Sequence, residues 1–247
     1  MKHLFLTAAG YLCMAISFSA VSSRAEAAAF FVSPIRVELS AARPTTALSV
    51  QNDSDHALVI QTQSIAWSQS DGEEIYEQTV DLIVTPAIFT VPAKGNQVVR
   101  VGLRRPVAST SEISYRLALQ EIAGPPNADA TGVQMLLRIV LPVFVKPASA
   151  VAAELKWEAL MSPDKTMTVR TQNDGNAHIQ IYKFKLLDAD SQQMFAMQST
   201  PAYVLPGQVR QWQLKPEAQL PVPNGFLHLV ASTDAGEIDA QIALETP

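Results

Sequence analysis

Residues 132–147 read Gly132-Val133-Gln134-Met135-Leu136-Leu137-Arg138-Ile139-Val140-Leu141-Pro142-Val143-Phe144-Val145-Lys146-Pro147. The run is long for a strand, apolar at odd and even positions alike, and closed by a proline. Successive side chains of a strand point to opposite faces, so a strand apolar on both needs cover on both. One row, with Leu136 and Val140, is expected in a sandwich core. The other, with Val133, Met135, Leu137 and Ile139, then needs a second cover. Two covers stay open at this point: the chain's own sheets and a neighbouring domain, or another protein. An edge strand bearing a row of large apolar side chains is an aggregation hazard. It becomes useful where a partner's incomplete sheet accepts it by β-augmentation.

Short segments of strand character lie upstream. Ile35-Arg36-Val37-Glu38-Leu39, Ala47-Leu48-Ser49-Val50, Leu58-Val59-Ile60-Gln61-Thr62, Val98-Val99-Arg100-Val101 and Tyr115-Arg116-Leu117-Ala118-Leu119 have a two-residue period or β-branched content. Turn signals separate them: Asn52-Asp53-Ser54-Asp55, Ser70-Asp71-Gly72 and Pro92-Ala93-Lys94-Gly95. Short strands with such turns predict an all-β sandwich. The second half echoes the first. Asn52-Asp53-Ser54-Asp55-His56 returns as Asn173-Asp174-Gly175-Asn176-Ala177-His178, an offset of 173 − 52 = 121 residues. Val91-Pro92-Ala93-Lys94-Gly95 returns as Leu205-Pro206-Gly207-Gln208, an offset of 206 − 92 = 114. A unit of about a hundred residues used twice fits both offsets and the size of an immunoglobulin-like sandwich. The hinge is expected near Lys146-Pro147-Ala148-Ser149, giving domains over 28–147 and 148–247.

The N-terminus sets the expected compartment. Lys2 and His3 precede an apolar run from Leu4 to Ala20, followed by Ser22-Ser23-Arg24 and Ala25-Glu26-Ala27. A basic start, a short apolar core and an A-x-A exit predict a secretory signal peptide over 1–27, with Ala29 the alternative cut. Cys13, the sole cysteine, falls inside that segment, so the mature chain would carry no disulfide and no thiol chemistry. Removing Lys2, Arg24 and Glu26 takes the 18 basic and 23 acidic residues to 16 and 22, net −6. A nucleic-acid partner would call for a strongly basic domain, and no nucleotide-binding glycine loop is present.

Nothing reads as an active site. His56, His178 and His228 lack partners at metal-ligand spacing, so no metal or other cofactor is expected. No Gly-x-Ser-x-Gly motif or zinc-protease helix occurs, and no catalytic residue is assigned. Asp71-Gly72-Glu73-Glu74 reads as a solvated hairpin turn. Met194, Phe195 and Met197, with Trp67, Trp157 and Trp212, read as core or interdomain packing.

Four stretches carry a family resemblance. They are Ser33-Pro34-Ile35-Arg36-Val37; Phe89-Thr90-Val91-Pro92 followed by Val98-Val99-Arg100-Val101; Tyr115-Arg116-Leu117-Ala118-Leu119-Gln120-Glu121-Ile122; and the Val133–Pro147 strand with its basic-proline ending. The chain resembles the periplasmic pilus-assembly chaperones of the PapD-like family, nearest the branch serving archaic, spore-coat-type fimbriae. That resemblance implies two immunoglobulin-like domains in an L-shaped arrangement. It implies pilus subunits and an outer-membrane usher as partners, with no nucleotide required. A donor strand, here Val133, Met135, Leu137 and Ile139, would complete the subunit's open sheet.

The resemblance also implies basic anchors for the subunit's C-terminal carboxylate. Arg36 matches the first. The family's second, a lysine, is replaced by Pro142, which leaves Arg138 or another base to substitute. Glu121, Lys146 and Asp234 resemble the family's interdomain ion-pair cluster, with lysine where an arginine is usual. A fimbrial subunit or adhesin is the rival reading, although Phe30-Phe31-Val32 is too short for a donor extension. Self-association of the free protein, one ribbon capping another, stays open.

Overall fold

The computed structural model describes residues 30–123, 135–189, 192–216 and 225–245. The expected signal peptide and Val133 lie outside the described residues. Every element described is a strand. In chain order these are β1 (Phe30–Ser33), β2 (Val37–Ser40), β3 (Thr45–Asn52), β4 (Leu58–Ser70), β5 (Glu73–Gln78), β6 (Leu82–Thr85), β7 (Ile88–Val91), β8 (Asn96–Leu103), β9 (Ile113–Ile122) and β10 (Arg138–Lys146). They continue as β11 (Leu155–Met161), β12 (Met167–Asn173), β13 (Ile179–Asp188), β14 (Met194–Gln198), β15 (Ala202–Val204), β16 (Val209–Leu214), β17 (Phe226–Thr233) and β18 (Gly236–Glu245).

The two-residue period explains the layers. In β12 each of Met167, Val169, Thr171 and Asn173 is buried, while the intervening Thr168, Arg170 and Gln172 are half-exposed. β1-β3-β8-β6 form one sheet, and β2-β10-β9-β4-β5, with β7 on β4, form the sheet facing it. Leu48, Val50, Val99, Val101, Leu117, Leu119, Leu141 and Val143 fill the space between them. β11 to β18 build a second body around Met167, Phe184, Leu186, Leu227 and Leu229. Among the described residues, neither core borrows a side chain from the other half of the chain. The fold is all-β with two domains.

The sequence echoes become one device used twice. Asn52 is wholly buried; its amide donates to the carbonyls of His56 (2.8 Å), Pro92 (3.0 Å) and Val91 (3.2 Å), and its oxygen accepts from the Ser54 N–H (2.9 Å). Asn173, equally buried, donates to the carbonyls of Ala177 (2.7 Å) and Val204 (3.1 Å) and accepts from the N–H groups of Gly175 (3.0 Å) and Glu154 (3.1 Å). In each half one asparagine ties its own turn to a distant proline turn. Gly175 is required there, because a Cβ would collide with the Ala152 carbonyl oxygen. Removing the amide strands several buried backbone groups, at about 1–3 kcal/mol for a group left unsatisfied. Asn52→Ala should therefore lose about 2–3 kcal/mol in urea denaturation; a loss under about 0.5 kcal/mol, the size of an ordinary surface substitution, would contradict it.

Candidate functional site: an open strand edge beside an interdomain cleft

β10 sits between β2 and β9 but is covered unequally. β9 pairs with it along its length, from Arg138 opposite Gln120 to Val145 opposite Ile113. β2 pairs with it in parallel only from Val143, opposite Val37, to Lys146, opposite Ser40. Among the described residues, no strand pairs with β10 over Arg138–Pro142 on the β2 side. The Glu121 N–H donates to the Leu137 carbonyl at 2.9 Å, and Glu121 stands opposite Leu137 in the ladder. Antiparallel neighbours alternate between bonded and non-bonded pairs. The backbone groups of Leu137, Ile139 and Leu141 therefore turn to β9, and those of Arg138, Val140 and Pro142 turn to the open edge. Proline lacks an N–H, so Pro142 ends the available ladder at the level where β2 begins.

Side-chain facing corrects one expectation. Leu141, Val143 and Val145 lie in the core, with Ile139 and Leu137 packed partly against it. Counting back by twos places Met135, 66% exposed, on the same row. Leu136 and Val140, expected inside, are exposed instead. The deeper half of the strand sets the parity, and Leu136 and Val140 have the opposite one. The row of Met135, Leu137 and Ile139 is thus the core row continued outward, losing its own sandwich's cover step by step.

The open edge runs toward a cleft between the two bodies. Arg36, just before β2, donates through Nη1 to Asp234 Oδ2 (2.9 Å) and through Nη2 to Gln180 Oε1 (3.1 Å). Partial burial works against its charge, but the Asp234 hydrogen bond and the neighbouring Tyr203 more than offset it and hold its proton above the ordinary arginine range. Phe144, fully buried, contacts Trp67 of its own body and Tyr203 and His178 across the joint, its ring stacked on His178 at 3.5 Å between centroids. The β4–β5 hairpin adds further ties. Gln69 bonds the Tyr203 carbonyl (2.9 Å) and the Leu205 N–H (3.0 Å), and Arg210 reaches the Gly72 carbonyl (2.8 Å) and Glu74 (3.2 Å).

The expected basic pair is not brought together. Arg138 lies opposite Gln120, four residues before Pro142 and so about 13 Å along the strand from the level of Arg36. Arg116 lies opposite Pro142, at the level of Arg36. Its guanidinium lies 3.6 Å from the Trp67 ring centroid and 5.3 Å from that of Tyr203, and no carboxylate among the described residues pairs with it. The expected Glu121–Lys146–Asp234 cluster is likewise not formed. Glu121 faces Leu137, whose N–H it accepts at 3.3 Å, whereas Lys146 is nine residues further along β10, about 30 Å away. Lys146 pairs with Glu38 of β2 (2.6 Å), and Asp234 pairs with Arg36. The buried acid at the joint is Glu112, which accepts from His178.

A family model described as the pili and flagellar-assembly chaperone, PapD N-terminal domain, matches residues 29–151. The chain belongs to the PapD-like family of pilus-assembly chaperones. No curated protein matches it by sequence. Solved structures match its fold. One is from the complex of the chaperone CsuC with the tip adhesion subunit CsuE, from Acinetobacter baumannii archaic pili (17% identity, TM-score 0.62, 89% of this chain and 100% of that one). Another comes from the Salmonella enterica SafA pilin in complex with the SafB chaperone (15%, 0.59, 87% and 95%). A third is the Pseudomonas aeruginosa CupB2 chaperone (17%, 0.55, 85% and 98%). The rival reading as a fimbrial subunit or adhesin gains nothing from these matches.

Proposed function

We propose that this PapD-like chain is a periplasmic, non-enzymatic chaperone that holds an incomplete pilus subunit on the open edge of β10 and passes it to an outer-membrane usher. The observation carrying this reading is the core row that runs out of its own sandwich, from buried Leu141 through half-covered Ile139 and Leu137 to exposed Met135, beside an unpaired strand edge. Val133 continues that row by sequence. A subunit lacking a strand accepts these side chains into its own core. Each one fully buried contributes about 1.5–3 kcal/mol before ordering costs. The main chain of Arg138 and Val140 supplies the ladder.

A carboxylate anchor in the cleft would call for parallel pairing. A strand laid on the open edge parallel to β10 ends at the level of Pro142, with its terminal carboxylate before Arg36 and Arg116. A guanidinium offers a carboxylate a two-pronged fork, and Arg116 has no carboxylate among the described residues to give up. Charge-assisted hydrogen bonds of this kind contribute about 1.5–3 kcal/mol. Arg116→Gln should therefore weaken the subunit complex about tenfold or more by calorimetry. Arg36→Ala should do the same, and wild-type affinity in both variants would remove the carboxylate from the account. Arg138→Ala, remote from the cleft, should have the smaller effect of the three.

A further inference from the structure

His178 is more than 90% buried and Glu112 is 1% exposed at the side chain, both between the two bodies. Glu112 Oε1 accepts from the His178 main-chain N–H (3.1 Å) and lies 2.5 Å from Nδ1. Oε1 already accepts the main-chain N–H, and the same oxygen is placed to accept a hydrogen from Nδ1. The other ring nitrogen, Nε2, is buried without a hydrogen-bond partner among the described residues and faces Asp234 Oδ2 at 3.7 Å. That same oxygen holds Arg36. The charged and titratable groups around the ring are Glu112 from the segment before β9, Asp234 from the β17–β18 turn, Arg36 behind Asp234, and Tyr203 of β15, 5.8 Å away between centroids. Phe144 of β10 covers one ring face.

With a neutral ring, the cluster of Glu112, Asp234 and Arg36 is net negative, and a bare lone pair confronts Asp234. A second proton on Nε2 makes the cluster neutral and gives Asp234 Oδ2 a donor other than Arg36, while Oδ1 keeps the Gln180 main-chain N–H. We propose that His178 is a proton-operated positioning residue: protonated, it takes up Asp234 Oδ2 and frees the Nη1 side of Arg36 for an incoming carboxylate, with Nη2 still on Gln180; neutral, it leaves Arg36 clamped at both nitrogens. The inference rests on the cleft being the carboxylate anchor. Lower pH then tightens carboxylate capture, and capture in turn favours the protonated ring, because such coupling is reciprocal. Histidine is the side chain whose charge changes near neutral pH.

The test uses protein expressed from the full sequence and a fluorescein-labelled nonapeptide of alternating valine and threonine, as the free C-terminal acid and as the amide. The acid should bind about fivefold tighter at pH 5.5 than at pH 8.0, at the lower end of typical couplings. The amide should show no such gain, and His178→Gln should abolish it. An undiminished gain in H178Q, or none in the wild type, overturns the switch and leaves the anchor standing. Equal binding of acid and amide at both pH values removes the anchor and the switch together. Because His178 is packed in the joint, ring titration by NMR in the unaltered protein gives an independent reading. Saturation with the acid peptide should raise the His178 midpoint by about 0.7 pH unit, the same fivefold coupling, and an unmoved midpoint contradicts it.

Discussion

Replacing Met135 with aspartate should abolish recovery of the subunit complex while leaving the free protein folded. Met135 is mostly exposed in the isolated chain, so its replacement costs the monomer little, within about 0.5 kcal/mol. In the proposed complex the same position enters the subunit's core. There the loss is the apolar transfer energy, about 1.5–3 kcal/mol, plus the larger cost of an unpaired buried carboxylate. Together these exceed about 3 kcal/mol, more than about a hundredfold in Kd. Leu137→Asp should break the complex equally but also destabilise the monomer, because Leu137 packs partly against its own core. Calorimetric binding and thermal melting of both variants separate the two effects. A Met135→Asp protein that still captures subunit would show that the exposed row is not the contact.

Phe144→Ala should be the most damaging single change at the joint. The ring is fully buried and touches Trp67, His178 and Tyr203, which gather residues from both bodies. Truncating a buried phenylalanine costs about 3–5 kcal/mol. Here that loss falls on the joint and not on either core, since Phe144 clusters with Trp67 and Leu205 and belongs to neither main core. Differential scanning calorimetry should therefore show a lowered melt resolving into two transitions, one for each body. Subunit affinity should fall with it, because Arg36 and Tyr203 lie against the same ring and Arg116 rests on its neighbours Trp67 and Tyr203. A single transition at the wild-type temperature would mean that the joint contributes nothing to coupling.

Much of the fold was legible because strand physics is local. Alternation marks β3, β8 and β9, and the recurring asparagine and proline turns point to two similar halves without any knowledge that both asparagines are buried. The donor run was legible as an anomaly, apolar on both rows. Its facing was not, since parity depends on which end of β10 the sandwich buries, and Leu136 and Leu137 look equally suited to a core. Long-range pairing is also hidden from the sequence. Glu121, Lys146 and Asp234 follow a family pattern in sequence, but the antiparallel register puts Glu121 and Lys146 at opposite ends of the sheet. Glu112 lies just before β9 and meets His178 only because that strand starts at the joint.

The sequence signal for Arg116 is a lone cation in the outward row of a strand whose other row, Tyr115, Leu117 and Leu119, is core. That signal marks it as facing away from the core, and only the fold places Trp67 and Tyr203 beneath it. His178 has no partner at metal-ligand spacing. Its partners in the fold, Glu112 and Asp234, lie 66 and 234 − 178 = 56 residues away in sequence, beyond any spacing rule.

Amide hydrogen exchange along β10, measured by NMR on the free chain and on its complex with a subunit, reads the open edge residue by residue. In the free chain the Ile139 and Leu141 amides should exchange slowly and those of Arg138 and Val140 quickly. Binding should slow Arg138 and Val140 and leave Ile139 and Leu141 almost unchanged. Fast exchange at Arg138 and Val140 in a saturated complex would mean that no strand is added there.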